Sequence, residues 1–224
     1  MIKPQHLARN NVILLTCLLI LILFYPLFQE SKSLVRDLLL SAIFFAGIFS
    51  LEFSARSRML LLSLAILTTA TTWIHHFIDN RLLYLIDFGT SSVTLAVIVV
   101  LMIRHIAHSR VVTPTIILSS VNGYLLLGVL GAVLLSIADS VNIFLNGAES
   151  VGIVLPSQGS PEFRDYLYLA FITLTTVGYG DVTAVAYLTR SVAILIGLAG
   201  PLYMTILIAM LVGKFLADQQ GMSK

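Results

Sequence analysis

Long apolar runs, each ended by a short polar or charged patch, repeat along this chain from one end to the other. They extend from Asn11 to Phe28, Leu34 to Leu51, Met59 to Ile78, Leu82 to Ile103, Thr115 to Ala138 and Leu188 to Leu216. A helix needs about 20 apolar residues to cross the hydrocarbon core of a bilayer. The pattern therefore predicts an all-α membrane protein with six transmembrane helices. A shorter apolar segment, Phe163 to Thr175, falls between the last two runs and predicts a re-entrant helix. The first run follows Lys3 and Arg9, as the core of a signal peptide does. The sequence after it, Phe-Tyr-Pro-Leu-Phe-Gln-Glu, offers no small-residue cleavage site, so the run reads as a retained anchor.

Composition agrees with the pattern. The chain of 224 residues is 58% hydrophobic and 11% charged, with a mean hydropathy of +0.99, whereas soluble domains carry about 25% charged residues. The single cysteine, Cys17, lies in an apolar run, which excludes a disulfide or a zinc site within one chain and leaves it a packing or lipid-facing role. No basic patch suits nucleic acid. No nucleophile, base and oxyanion set converges, so an enzyme is not expected either.

Charge placement gives an orientation. With the N-terminus in the cytoplasm, Lys3, Arg9, Arg56, Arg58, Arg104, Arg110, Lys214 and Lys224 fall inside, and Lys32, Arg36, Arg81, Arg164 and Arg190 fall outside. That asymmetry follows the positive-inside rule and puts both termini in the cytoplasm. Asp79, Asp139, Glu149, Glu162, Asp165 and Asp181 then lie toward the outer face, where an acidic vestibule concentrates cations.

The run Thr175-Thr176-Val177-Gly178-Tyr179-Gly180-Asp181 carries the candidate chemistry. A potassium ion sheds its water only where carbonyl oxygens replace it, which requires consecutive carbonyls to face one axis. Alternating backbone conformation achieves this. Gly178 and Gly180 can take the positive φ it needs, while Val177 and Tyr179 stay in ordinary regions and turn their side chains into protein. Thr176 adds a hydroxyl oxygen below the carbonyl rings. Irregular backbone at membrane depth is tolerated where it lines a wet cavity, so the run points to a pore. The alternative is a plain Gly-Tyr-Gly turn between two helices. Upstream of it, Ser160 is expected as N-cap, with Pro161 in the first helical position and Glu162 at the positive helix start. Downstream, Pro201 removes the helical bond to the Gly197 carbonyl and predicts a bend at Gly200-Pro201. Met204, Ile208 and Val212 share one helical face.

From Pro161 to Phe215 these residues together resemble the pore domain of tetrameric potassium channels, and the run from Gly200 to Gly213 is similar to that of small bacterial six-span members. The first four spans match that group only in number and hydropathy. The resemblance implies a pore domain over residues 115–217, with pore helix 161–175, filter 176–181 and inner helix 188–216. A four-helix unit (1–103) and cytoplasmic linker (104–114) precede it, and a short cytoplasmic tail (218–224) follows. It further implies passive conduction through a homotetramer in a bacterial plasma membrane. Permeant K+ would be held by Thr176, Val177, Gly178, Tyr179 and Gly180, with lipids as the other partners and no cofactor. The negative end of the pore helix would help to hold a cation in the cavity. In many members the filter aspartate pairs with a pore-helix aromatic; Tyr168 stands where tryptophan is common, so Tyr168, Asp181 and Thr175 are the expected brace. A plain interfacial role for Tyr168 remains open. Ile172 occupies a position where some members carry glutamate, which puts filter inactivation of that type in doubt. Gly200 aligns with the hinge glycine, with Gly197 and Pro201 beside it. Met204, Ile208 and Val212 either line the cavity and gate it or pack against the preceding span.

Voltage sensing needs repeated basic residues in the fourth span. Leu82 to Ile103 has none, so little voltage dependence is expected. Asp87 in that span lies near enough to the outer interface to reach water, although an intramembrane carboxylate is also a functional candidate. Glu52 and Arg56 are spaced for an interfacial pair. His105 and His108 either sense cytoplasmic pH or simply sit at the interface. The tail after Lys214 is too short for a ligand-binding domain. The competing functions are a voltage-gated or pH-modulated potassium channel, a transporter subunit, which would carry several weaker glycine loops, and a non-conducting membrane sensor or scaffold.

Overall fold

A computed structural model describes residues 4–27, 34–52, 55–78, 80–109, 112–147, 150–156 and 159–222. Lys3, Phe28, Lys32, Asp79, Arg110, Glu149 and Lys224, which entered the span and orientation arguments, lie outside the described residues. The fold is all-α apart from one two-residue ladder. Among the described residues seven α-helices follow in order: α1 (Pro4–Leu19), α2 (Leu34–Phe49), α3 (Ala55–Phe77), α4 (Arg81–His108), α5 (Pro114–Asn146), α6 (Phe163–Leu174) and α7 (Tyr187–Met222). A π-helical turn, Ile20–Phe24, and a 3-10 turn, Tyr25–Leu27, continue α1 until Pro26 removes a backbone donor.

Among the described residues, five helical stretches are long and apolar enough to cross a membrane: His6–Leu27, Ala55–Phe77, Leu82–His108, Pro114–Asn146 and Tyr187–Leu216. The remaining expected span is α2. Its 16 residues reach about 24 Å at 1.5 Å per residue, short of a core about 30 Å thick.

The packing order follows the chain. α1 packs on α2, α2 on α3, and α3 on α4, making a four-helix unit. α5 is the central post, touching α1, α4, α6 and α7. Thr113 caps its start, accepting from the Ile116 amide at 3.3 Å, and Pro114 takes the first helical position, where its missing donor costs nothing. A buried amide cluster bolts α1 to its neighbours. The Asn11 side chain donates to the Ser50 carbonyl at 3.0 Å and accepts from the Ser119 hydroxyl at 3.0 Å, while Asn122 donates to the Asn11 carbonyl at 2.9 Å. At the far end of α7, the Lys214 ammonium donates to the carbonyls of Ile106 at 2.6 Å and Ala107 at 3.0 Å. A cation there satisfies the exposed carbonyls that end α4.

The charges of the four-helix unit depart from expectation. Arg36, assigned above to an outer loop, is buried in the first turn of α2 beside Asp37. Asp87 does not reach water: it is 3% exposed and accepts from the Thr72 hydroxyl at 2.6 Å. Glu52 precedes α3, which begins at Ala55, so the helical spacing assumed for a Glu52–Arg56 pair does not apply. Hydropathy alone cannot distinguish a charge at a helix end from one folded inward among polar partners.

Candidate pore loop

The re-entrant helix α6 is set by its first residues. The N-cap is Glu162, two residues later than expected from Ser160 and Pro161, because Glu162 and Asp165 cap each other. The Glu162 carboxylate accepts from the Asp165 amide, and the Asp165 carboxylate accepts from the Glu162 amide at 2.8 Å. This reciprocal box satisfies orphan donors that a Ser160 cap would leave open.

At its other end α6 holds the loop by its amides. The Thr175 amide donates to Phe171 at 2.9 Å, Thr176 to Thr173 at 3.1 Å, and Val177 and Gly178 both to Ile172, at 2.9 and 3.0 Å. The Thr175 hydroxyl also donates to the Phe171 carbonyl at 2.7 Å. Among the described residues, no hydrogen bond uses the carbonyls of residues 176–180. A loop whose first amides, through Gly178, are bound back to the helix and whose carbonyls remain open can serve a cation.

The backbone has the alternation such a loop needs. Thr176 has φ 61°, Gly178 50° and Gly180 80°, with Val177 and Tyr179 between them outside the left-handed region. The two glycines meet this demand as expected, and nothing lies within 4 Å of where either would place a Cβ. Thr176 was not foreseen as the third member, because a β-branched residue at positive φ is an outlier that propensity argues against. Strain of this kind persists where the surroundings enforce it; here the Thr176 amide is pinned to Thr173. Val177 and Tyr179, expected to turn into protein, are 51% and 74% exposed in the single chain. One chain supplies no wall behind them.

Beyond the loop, the Tyr168 hydroxyl donates to Asp181 at 2.7 Å. This bond holds the Asp181 carboxyl below the usual carboxylate range. Ile172 is buried against the core and places no carboxylate there.

A second fastening was missed by sequence reasoning. Asp139, buried in α5, accepts from the Gly152 amide at 2.6 Å and from the Tyr166 hydroxyl. The Gly152 carbonyl accepts from the amides of Val185 at 2.8 Å and Ala186 at 3.3 Å and from the Thr189 hydroxyl at 2.6 Å. Next to it, β1 (Ile153–Val154) pairs antiparallel with β2 (Thr183–Ala184), Ile153 opposite Ala184. The loops on both sides of α6 are thus stitched together. A carboxylate in an apolar run beside a Gly-rich loop was the only sequence signal.

The long helix α7 runs past this site with Pro201 inside it. A Cβ on Gly200 would lie 2.0 Å from the Leu174 carbonyl oxygen, whereas one on Gly197 would meet only Thr173 Cγ2 at 3.6 Å. Gly200 is therefore where α7 touches the end of α6, a steric role beside the expected hinge role. The Tyr124 hydroxyl donates to the same Leu174 carbonyl at 3.3 Å. Met204, Ile208 and Val212 are exposed in the single chain. Tyr203, Leu207 and Met210 on another face of α7 do the packing.

Residues 132–217 match a protein-family model described as an ion channel, a stretch that runs from the later part of α5 through α6 and the loop into α7. No curated protein and no solved structure gives a match. An ion-channel family and a multi-pass membrane protein are what these features support.

Proposed function

We propose that the chain is one subunit of a potassium-selective channel that conducts passively through a homotetramer. The carrying observation is the loop 176–180: positive φ at Thr176, Gly178 and Gly180, the amides of 176–178 tied back to α6, and carbonyls without a partner among the described residues. Carbonyl rings replace the hydration shell of K+ when several such loops surround one axis. One chain carries one loop, so the axis has to lie between copies. Val177 and Tyr179, exposed in the single chain, would then pack against structure supplied by assembly. Thr176, Val177, Gly178, Tyr179 and Gly180 are the ion-binding residues in this reading, Tyr168, Asp181 and Thr175 brace them, and the exposed face of Met204, Ile208 and Val212 lines the cavity below. Gly197, Gly200 and Pro201 supply the point about which the lower part of α7 bends.

Glu162, Asp165 and Asp181 make the mouth acidic in the orientation that places both termini in the cytoplasm, as in a bacterial plasma membrane. Full-length protein in liposomes tests the function. Potassium flux should exceed sodium flux by orders of magnitude, barium should block it, and Gly178→Ala should abolish it with the protein still folded. Equal sodium and potassium flux overturns the proposal.

A further inference from the structure

The first residue of α6, Phe163, is buried where helices of the four-helix unit converge. Its ring lies 6.0 Å from that of Tyr25, at the end of the first helical run, and 6.1 Å from that of Phe88 in α4. The Arg36 guanidinium of α2 makes a triangle with these two phenylalanines, 5.7 Å from the centre of Phe88 and 5.9 Å from that of Phe163. A cation within about 6 Å of a ring face is attracted by the ring quadrupole, more so when desolvated. Arg36 is 8% exposed.

The guanidinium is itself held. Arg36 Nε lies 2.9 Å from Asp37, whose other oxygen is 2.8 Å from His76 Nδ1 in α3. Phe88 stacks on Tyr84 at 4.3 Å, and the Tyr84 hydroxyl pairs with Ser136 of α5 at 2.7 Å. Arg36 of α2 thus touches a ring of α4 and a ring of α6, and Asp37 beside it ties the group to α3. Phe163 lies within the capping box of Glu162 and Asp165 that starts α6, and at the other end of α6 lie the carbonyls that hold the loop amides. A twelve-residue helix this short tilts as a rigid rod, so a displacement at Phe163 reaches Ile172.

We propose that Arg36 is a positioning residue through which the four-helix unit sets the angle of the re-entrant helix, and hence the alignment of the loop. The idea rests on the channel reading above. It names a route at the outer end of the unit, separate from the latch between Lys214 and α4. A buried, paired charge at membrane depth is costly and commonly marks a functional element. Here the element is a hinge pin.

The test uses the full-length protein with Arg36→Lys, which keeps the charge and loses the planar stack, Phe163→Leu, which keeps an apolar side chain and loses the ring, and the double variant. Each single change should lower the open probability of reconstituted channels about fivefold, the size a lost cation–π contact allows. Unit conductance, potassium selectivity and melting temperature should stay near wild type, and the double variant should be no worse than either single. Additive losses, or unchanged gating in both singles, overturn the proposal. Hydrogen exchange at the amides of Tyr166 and Leu167 gives a second reading independent of conduction. Faster exchange in both singles supports the pin, and wild-type exchange in both refutes it even if wild-type protein passes no ions, a result that counts against the channel reading instead. If Arg36→Lys does not fold, Phe88→Leu takes its place with the same expected outcomes.

Discussion

Tyr168 and Asp181 hold the far side of the loop through one hydrogen bond of 2.7 Å, on groups that face solvent in the single chain. Tyr168→Phe removes the donor and little else. Single-channel records should show shorter open times in that variant, with Asp181→Asn behaving alike; unchanged lifetimes in both remove the brace. The pH dependence has a definite sign. Because the bond depresses the Asp181 pKa below its usual 3.8, its contribution is complete above that value and fades only as acid passes the lowered folded value. Open times should therefore be flat from about pH 5 to 8 as far as this bond decides them. A second residue-scale prediction separates two roles of glycine. Gly200→Ala drives a methyl into a backbone oxygen that cannot swing away, so it should cost at least the upper end of about 1–3 kcal/mol. Gly197→Ala has room and should be mild; a thermal melt of both variants compares them. At this scale the glycines at 178 and 180 were legible from residue type, and the tyrosine–aspartate pair only through the family resemblance. Thr176 was not, because its positive φ is imposed by Thr173 and Ile172 behind the loop rather than by its own side chain.

Helices α5 to α7 owe their arrangement to polar fastenings that a hydropathy pattern does not carry. Spans were readable to within a few residues for α3, α4 and α7, where apolar runs are long and uninterrupted. The start of α6 was misplaced by two residues, since Ser160-Pro161 makes a plausible opening until Glu162 and Asp165 are seen to cap each other. The stitching at Gly152 was invisible, because it joins α5, the strand pair and α7 across distances in sequence that no local rule spans. Asp139 is the centre of that joint. Asp139→Ala leaves a buried amide and the Tyr166 hydroxyl without their acceptor, a loss of roughly 1–3 kcal/mol for each group. The melting temperature should fall accordingly, and Asp139→Asn, which keeps an acceptor for Gly152, should fall less. Equal stability of Asp139→Ala and wild type would remove the joint from the account of how the loop is held.

The six apolar runs of the sequence match the span count of a voltage-sensing channel without the charges that sensing requires. A single elementary charge crossing the full field is worth about 2.3 kcal/mol per 100 mV, or about 50-fold in an equilibrium constant. Steep sensors move several. From Leu82 to Ile103, α4 carries no basic residue, and its acid, Asp87, is tied to Thr72 at 2.6 Å. Arg36 is the buried cation of α2, but Asp37 is bonded to it at 2.9 Å, so any movement of the two together carries almost no net charge. Arg104 and Lys214 lie at helix ends, where the field has largely been crossed. Conductance in reconstituted membranes should therefore vary less than about 50-fold over 100 mV, the limit set by one charge per channel. A rise that fits three or more charges per subunit contradicts this, and would require an exposed cation such as Arg56, at the start of α3, to travel through the membrane. Shallow voltage dependence together with a fall in open probability on altering Arg36 is the joint outcome this architecture predicts. A buried ion pair that does not move through the field can still transmit a mechanical displacement from the four-helix unit to the re-entrant helix.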